Sequence, residues 1–385
     1  MNLVKNTNQA LVYDIGSASV KLGYAGDLYP LYAPPSWYAV QSLENGDIQY
    51  QFEKEWLTKC VAGLEIKPME DENSEGLTTF LDWTYSYCFG EIEPTNWSVL
   101  FSQPTVAICN TQNAKALEDK QNHLAEIAFD FGYHPRLGFQ HDSSLTCYSH
   151  GIHTGLVVDF GWSCLRAVPI IEGHPYRSGI RIHTYGGKDL SFLLYRMLTD
   201  HGKNIHTHRE IIDPNAFITE SQLQFCRMDL LIDMIKSNLK FDVPTENTTI
   251  LDNIYFMPGK VPIDLENEMN YISNFYWEEE TPLQELIKDA INATPEEYQN
   301  VLWKSIVTGG GLSNLKGFRN RLKIEVEKVA PNNIKPNVIL PKCREAAGEF
   351  ATWVGGSIFA SSECFPSFCM TREEWTEVGS ANRFI

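Results

Sequence analysis

The sequence predicts an α/β protein of two similar lobes facing one another across a ligand cleft. An internal repeat is the first reason. Leu11–Lys21 reads LVYDIGSASVK and Leu156–Leu165 reads LVVDFGWSCL. Each is an apolar strand ending in Asp-x-Gly, followed by small or polar residues and a second strand-like run. Asp14 and Asp159 stand 145 residues apart, the spacing of two comparable halves. The second reason is a pair of glycine clusters at junctions with helix-like runs, Gly186-Gly187 and Gly309-Gly310-Gly311, where backbone approaches a ligand closely.

The repeated unit carries specific chemistry. Glycine after the aspartate permits positive φ and a tight reversal. The reversal turns backbone N–H groups toward one spot, a cradle for phosphate oxygens. A carboxylate at the strand end holds Mg²⁺ through its water shell, because Mg²⁺ dehydrates reluctantly. Ser17 and Lys21, beside the first copy, add a hydroxyl donor and a positive charge. An ordinary structural hairpin has the same pattern; the duplication and the Lys21 charge favour phosphate.

At 385 residues the chain is long enough for two domains with ample core, and 43% hydrophobic and 12% aromatic residues suit a folded globular protein. The net charge of −18 and the lack of any Lys/Arg run speak against nucleic-acid binding by the bulk surface. Nine scattered cysteines without a CxxC pair fit free thiols in a reducing compartment. The start MNLVKNTNQ lacks a signal-peptide core, and no apolar run reaches the ~18 residues of a membrane span. The expected compartment is cytoplasm or nucleus.

Along the chain, Leu11–Tyr13 and Val20–Tyr24 read as paired strands. Pro34-Pro35 and Gly46-Asp47 punctuate a small excursion that ends near Pro68. The acidic Met69–Glu75 reads as a solvated face. Helices are expected over Thr79–Phe89 and Ala114–Phe131, with a strand at Trp97–Phe101 between them. After the second hairpin, Val168–Ile171 continues the sheet, and the Tyr185–Asp189 turn opens a helix over Leu190–Leu198. Gln222–Leu239 and Leu283–Ile291 read as helices, and Ile254–Met257 with Val261–Ile263 as a hairpin. Ser305–Thr308 leads as a strand into the glycine triplet, with a helix from about Lys316. Trp353–Ile358 reads as an apolar turn into a helix.

These elements in this order resemble the actin superfamily, and more narrowly its actin-related proteins. The DxGSxxxKxGxAGD signature of actin is matched by Asp14, Gly16, Ser17, Lys21, Gly23, Ala25, Gly26 and Asp27. Its second phosphate loop is matched by Asp159 and Gly161, its AGRDL by Gly186–Leu190, its SGG loop by Gly309-Gly310-Gly311, and its WIGGSIL by Trp353–Phe359. The resemblance implies an actin-like ATPase fold, two duplicated ribonuclease-H-like lobes around a nucleotide cleft. Subdomain 1 is then expected over 1–35, 69–149 and 350–385, and a shortened subdomain 2 over 36–68. Subdomain 3 falls on 150–185 and 279–349, and subdomain 4 on 186–278. The resemblance also implies ATP or ADP with Mg²⁺, held by Asp14, Gly16, Ser17, Lys21, Asp159, Gly161, Gly187, Asp189, Lys236, Gly310 and Gly311, with Asp14 and Asp159 reaching the metal through water.

Departures from actin bear on turnover. Trp162 and Ser163 replace an acidic residue and a glycine of the second loop, placing an indole at its tip. Asp142 falls where actin has the glutamine that orients the attacking water, and Arg166 where it has a histidine lining that site. Lys236 is kept but its glutamate neighbour is Ser237, and Glu349 replaces a lysine near the adenine. Because phosphoryl transfer depends on positioning and electrostatics, these changes predict binding with little or no hydrolysis. Asp142 is open to two readings: a general base, as in the related sugar kinases, or a cap on the helix SSLTCYSH.

The groove where actin-family proteins take partner helices would be lined by Tyr148, Phe359, Ser362 and Cys364, with Phe359 as plain core the alternative. The short Pro35–Pro68 excursion argues against self-polymerisation. The Asp-Ile-Gly-Ser loop and the ending Glu374–Gly379 with Arg383-Phe384 resemble the nuclear subunit shared by histone acetyltransferase and remodelling complexes, although that group's usual insert is not found. The expected partners are actin or a helical segment of a large complex subunit, and the favoured compartment is the nucleus. A cytoskeletal role at filament ends or in a dynein activator, and an active ATPase or small-molecule kinase, stand as alternatives.

Overall fold

Our computed structural model describes residues 9–379 except 44, 58–63, 70–74, 91, 110, 213–217, 242–252, 279–280 and 342–347. Most of the acidic segment and the Arg383-Phe384 ending therefore lie outside the described residues.

Two sheets of related construction organise the chain. In the first, β1 (Ala10–Ile15) pairs antiparallel with β2 (Val20–Tyr24) and parallel with β6 (Ser98–Gln103), which pairs parallel with β7 (Leu137–His141). In the second, β8 (Gly155–Phe160) pairs antiparallel with β9 (Leu165–Ile171) and parallel with β14 (Ile306–Gly309). Each lobe thus opens with an antiparallel hairpin whose first strand then takes a parallel neighbour. Short strands β10 (His174–Pro175) and β11 (Arg181–His183) extend β9. β3 (Trp37–Ser42), β4 (Ile48–Gln51) and β5 (Glu65–Pro68) form a small separate sheet beside the first lobe, and β12 (Ile254–Met257) with β13 (Val261–Asp264) a hairpin on the second.

Every residue of β1 and β8 is buried. Strands covered on both faces read as continuous apolar runs, which is why LVYDI and LVVDF were conspicuous. The largest buried cluster packs Leu156, Phe160, Leu194, Tyr276, Trp303 and Phe318; a second surrounds Tyr13, Phe80, Phe101 and Phe139.

Helix Asp142–Ser149 crosses helix Ala351–Ala360 at close range. A Cβ on Gly355 would stand 1.7 Å from the Leu145 carbonyl oxygen, so only glycine permits this approach. The Trp353 indole, fully buried, donates to the Val12 carbonyl at 3.1 Å and ties this helix to β1. Trp353–Ile358 is therefore helix interior rather than a turn; the glycines that suggested a reversal serve close packing instead.

Two helices end differently from expectation. The first runs Glu75–Trp83 and then loosens into a π turn at Thr84–Cys88; the second runs Thr111–Glu126 with a π turn at Ile127–Phe131. At the first, the buried Thr84 hydroxyl donates to the Leu81 carbonyl and meets the Tyr13 hydroxyl at 2.9 Å, side-chain bonding that competes with the regular ladder. No helix among the described residues is long and apolar enough to cross a membrane.

Candidate functional site

Between the lobes lies a cleft of about 1670 Å³. Small-molecule sites typically occupy ~300–1,000 Å³, so a nucleotide-sized ligand has room. Asp14, Gly16, Ser17, Lys21, Asp142, Asp159, Gly161, Gly187, Lys236, Gly310 and Gly311 all line it. Asp189 does not: its carboxylate accepts from the Gly186 N–H at 2.9 Å and caps its own helix, Gly187–Asp200. That helix start is also committed, since the N–H groups of Gly187 and Lys188 donate to the carbonyls of Gly161 and Trp162, each at 3.0 Å. The Trp162 indole lies against Gly187, 3.1 Å from where a Cβ there would be. Gly310, at φ 81°, presses the β14 loop on Phe160; a Cβ would come within 2.1 Å of that carbonyl.

The two hairpins match in register. Asp14 on β1 stands opposite Lys21 on β2, and Asp159 on β8 stands opposite Arg166 on β9. Each aspartate is followed seven residues later by a cation. Lys21 Nζ lies 3.6 Å from Asp14 Oδ2, while the Ser102 hydroxyl donates to Asp14 Oδ1 at 2.7 Å. Arg166 is bound more tightly. Its Nε donates to Asp159 Oδ2 at 2.8 Å, and its Nη2 donates both to Asp159 Oδ2 and, at 2.7 Å, to Asp142 Oδ2. The Arg166 side chain is 12% exposed.

Asp142 opens helix Asp142–Ser149 and is saturated. Its Oδ1 accepts from the Thr105 N–H at 3.1 Å, the Thr105 hydroxyl at 2.6 Å and the Ser143 N–H at 2.6 Å. Burial pushes this carboxyl up, but Arg166 and the Thr105 hydrogen bonds outweigh it and hold the group below its ordinary value. A carboxylate so stabilised is a poor base. Asp159 is shifted the other way: burial raises it, the Asp142 and Asp14 charges add, and Arg166 only partly opposes them. Burial works against the charge on Arg166, yet the two carboxylates outweigh it and raise its pKa further. Ser102 and Thr105 escaped notice in the sequence, although a Ser-Gln-Pro-Thr run at the end of an apolar strand is a usable signal.

At the far side of the cleft, Lys236 pairs with Glu349 at 3.3 Å. Cleft-lining residues of the small sheet and of helix Glu220–Asn238 are clasped together. The Thr219 hydroxyl donates to the Leu64 carbonyl at 2.6 Å, the Ile66 N–H donates to the Ser221 hydroxyl at 3.1 Å, and Lys54 pairs with Asp229 at 2.6 Å.

Tyr148, Phe359, Ser362 and Cys364 do come together. The Tyr148 and Phe359 rings sit 5.7 Å apart, the Ser362 hydroxyl donates to the Phe359 carbonyl at 2.6 Å, and Ser362 Oγ lies 3.1 Å from Cys364 Sγ. Phe359 is half-buried against Phe365 and Phe368, serving both core and surface.

Duplicated Asp-x-Gly hairpins opposed across an interlobe cleft, with a glycine loop sealing one side, define a protein of the actin-like ATPase fold. The sequence model of the family described as Actin matches residues 5–383, and the chain belongs to that family.

Membership implies a divalent cation between Asp14 and Asp159, and the residues present do not fit one. Asp159 Oδ2 is taken by two Arg166 donors, and Asp14 is shared between Ser102 and Lys21. A guanidinium ~5 Å from a doubly charged ion takes back about 7 kcal/mol of the attraction the carboxylates offer it, at an effective dielectric of ~20.

Proposed function

We propose that this actin-related protein is a nucleotide-binding structural subunit that holds ATP or ADP without turning it over. The observation that carries this reading is the tethering of Asp142 and Asp159 by Arg166. Hydrolysis needs a group free to orient water and charges free to follow the developing transition state. Here the carboxylate at the water position accepts from Thr105, Ser143 and Arg166 at once. The clasp adds slow exchange, so the nucleotide serves as a structural element between the lobes.

The protein works, in this reading, within a nuclear chromatin-remodelling or histone-acetyltransferase complex, does not polymerise, and contacts actin or a helical segment of a larger subunit. The Asp14–Ser17 loop and the Glu374–Gly379 ending support the subtype by their resemblance to that group. The Tyr148–Phe359 pair supports helix docking, since half-buried aromatics supply anchors for an amphipathic helix. Single-turnover phosphate release from γ-labelled ATP tests the first part. No release is expected; steady release abolished by Asp142→Asn would instead establish a working ATPase. Affinity purification from native cells tests the second. Remodeller or acetyltransferase subunits with actin are expected, and dynein-activator or filament proteins would contradict it.

A further inference from the structure

We infer that Arg166 is the second lobe's phosphate-binding cation and stands in for the divalent metal, so that the cleft takes its nucleotide metal-free. This rests on the nucleotide-binding reading above. Three observations carry it. The first is register: Arg166 faces Asp159 as Lys21 faces Asp14, so the fold's duplication presents one cation from each hairpin to the space between the loops. The second is occupancy. Arg166 already bridges Asp142, at the end of the first sheet, and Asp159 of the second, two carboxylates that a cation would neutralise. The third is a spare donor. Nε and Nη2 carry all these bonds, leaving the two N–H groups of Nη1 without a protein partner among the described residues. Arg166 lines the cleft together with Lys21, Ser17 and Gly161. A guanidinium held by carboxylates on one edge and open on the other is pre-organised to donate to a phosphate oxygen.

The consequence is a reversed metal dependence. Where a protein supplies carboxylates for Mg²⁺, chelating the metal weakens nucleotide binding. Here Mg²⁺ in solution competes with Lys21 and Arg166 for the same phosphate oxygens, so chelation leaves affinity unchanged or improves it.

The test uses the full chain, stripped of nucleotide and titrated with fluorescent N-methylanthraniloyl-ADP and -ATP in excess Mg²⁺ or excess EDTA. The expected result is affinity in EDTA equal to or tighter than in Mg²⁺. Weakening by about tenfold or more in EDTA would overturn the inference and leave the nucleotide-binding reading standing. No binding in either buffer would remove that reading and the inference with it. Arg166→Met, checked for folding by circular dichroism, is expected to acquire the metal dependence that the wild type lacks. A second readout needs no nucleotide. Mn²⁺ alone, followed by electron paramagnetic resonance, is expected to bind Arg166→Met through Asp14, Asp142 and Asp159 and to leave the wild type empty. Equal Mn²⁺ binding by both proteins would contradict the substitution of cation by arginine.

Discussion

Arg166→Met should destabilise the protein by about 3–5 kcal/mol, the cost of stripping one partner from a buried ion cluster. The geometry says where that cost falls. Asp142 keeps the two Thr105 donors and the Ser143 N–H, whereas Asp159 loses both of its Arg166 bonds. The lone charge on Asp159 is therefore the source of the penalty, and Asp159→Asn in the Arg166→Met background should recover at least half of it. Asp159 already titrates above its ordinary value because of burial, and Arg166 is the group opposing that rise. Removing Arg166 raises the folded-state pKa further. A raised folded value stabilises below the unfolded value and is lost as pH rises, so the deficit should be smaller at pH ~5 than at pH ~8. Urea unfolding followed by tryptophan fluorescence reads both effects. A deficit below about 1 kcal/mol, or one untouched by Asp159→Asn, would refute the reasoning.

Gly355→Ala sets a methyl against the Leu145 backbone where the two helices cross, and should cost about 3 kcal/mol or yield no soluble protein; an unchanged melting midpoint would contradict the close crossing. His141 and His150 are each pushed down to about 4 by burial. Their depressed folded values add stability above the unfolded value near 6.5, which is lost as pH falls through 4, up to about 3 kcal/mol each. Unfolding midpoints flat from pH ~7 to ~4 would disprove this. Thr219→Val with Ser221→Ala removes the two clasp hydrogen bonds and should speed nucleotide release on the order of tenfold in stopped-flow chase. Unchanged release would show that the clasp does not gate the cleft.

The paired hairpins were readable because their strands are buried on both faces and so spell unbroken apolar runs before each Asp-x-Gly. The glycine loop at Gly309–Gly311 was readable because strand and helix patterns flank it. Three features were not. The tether of Arg166 to Asp142 and Asp159 joins residues 24 and 7 positions apart, and only the β8–β9 register and the start of the preceding helix bring them together. The helical identity of Trp353–Ile358 was hidden because glycine signals a turn locally, while here it answers a contact with Leu145 two hundred residues away. Asp189 matched its family position by sequence, yet its side chain is spent on its own helix start, a choice that depends on the rotamer rather than the motif.

The most direct test of the central claim is the nucleotide content of the protein purified from native cells, released by acid and resolved by ion-exchange chromatography. The account predicts close to one adenine nucleotide per chain, retained through purification in EDTA. Protein that emerges empty, and shows no thermal shift when ADP or ATP is added with or without Mg²⁺, would contradict it.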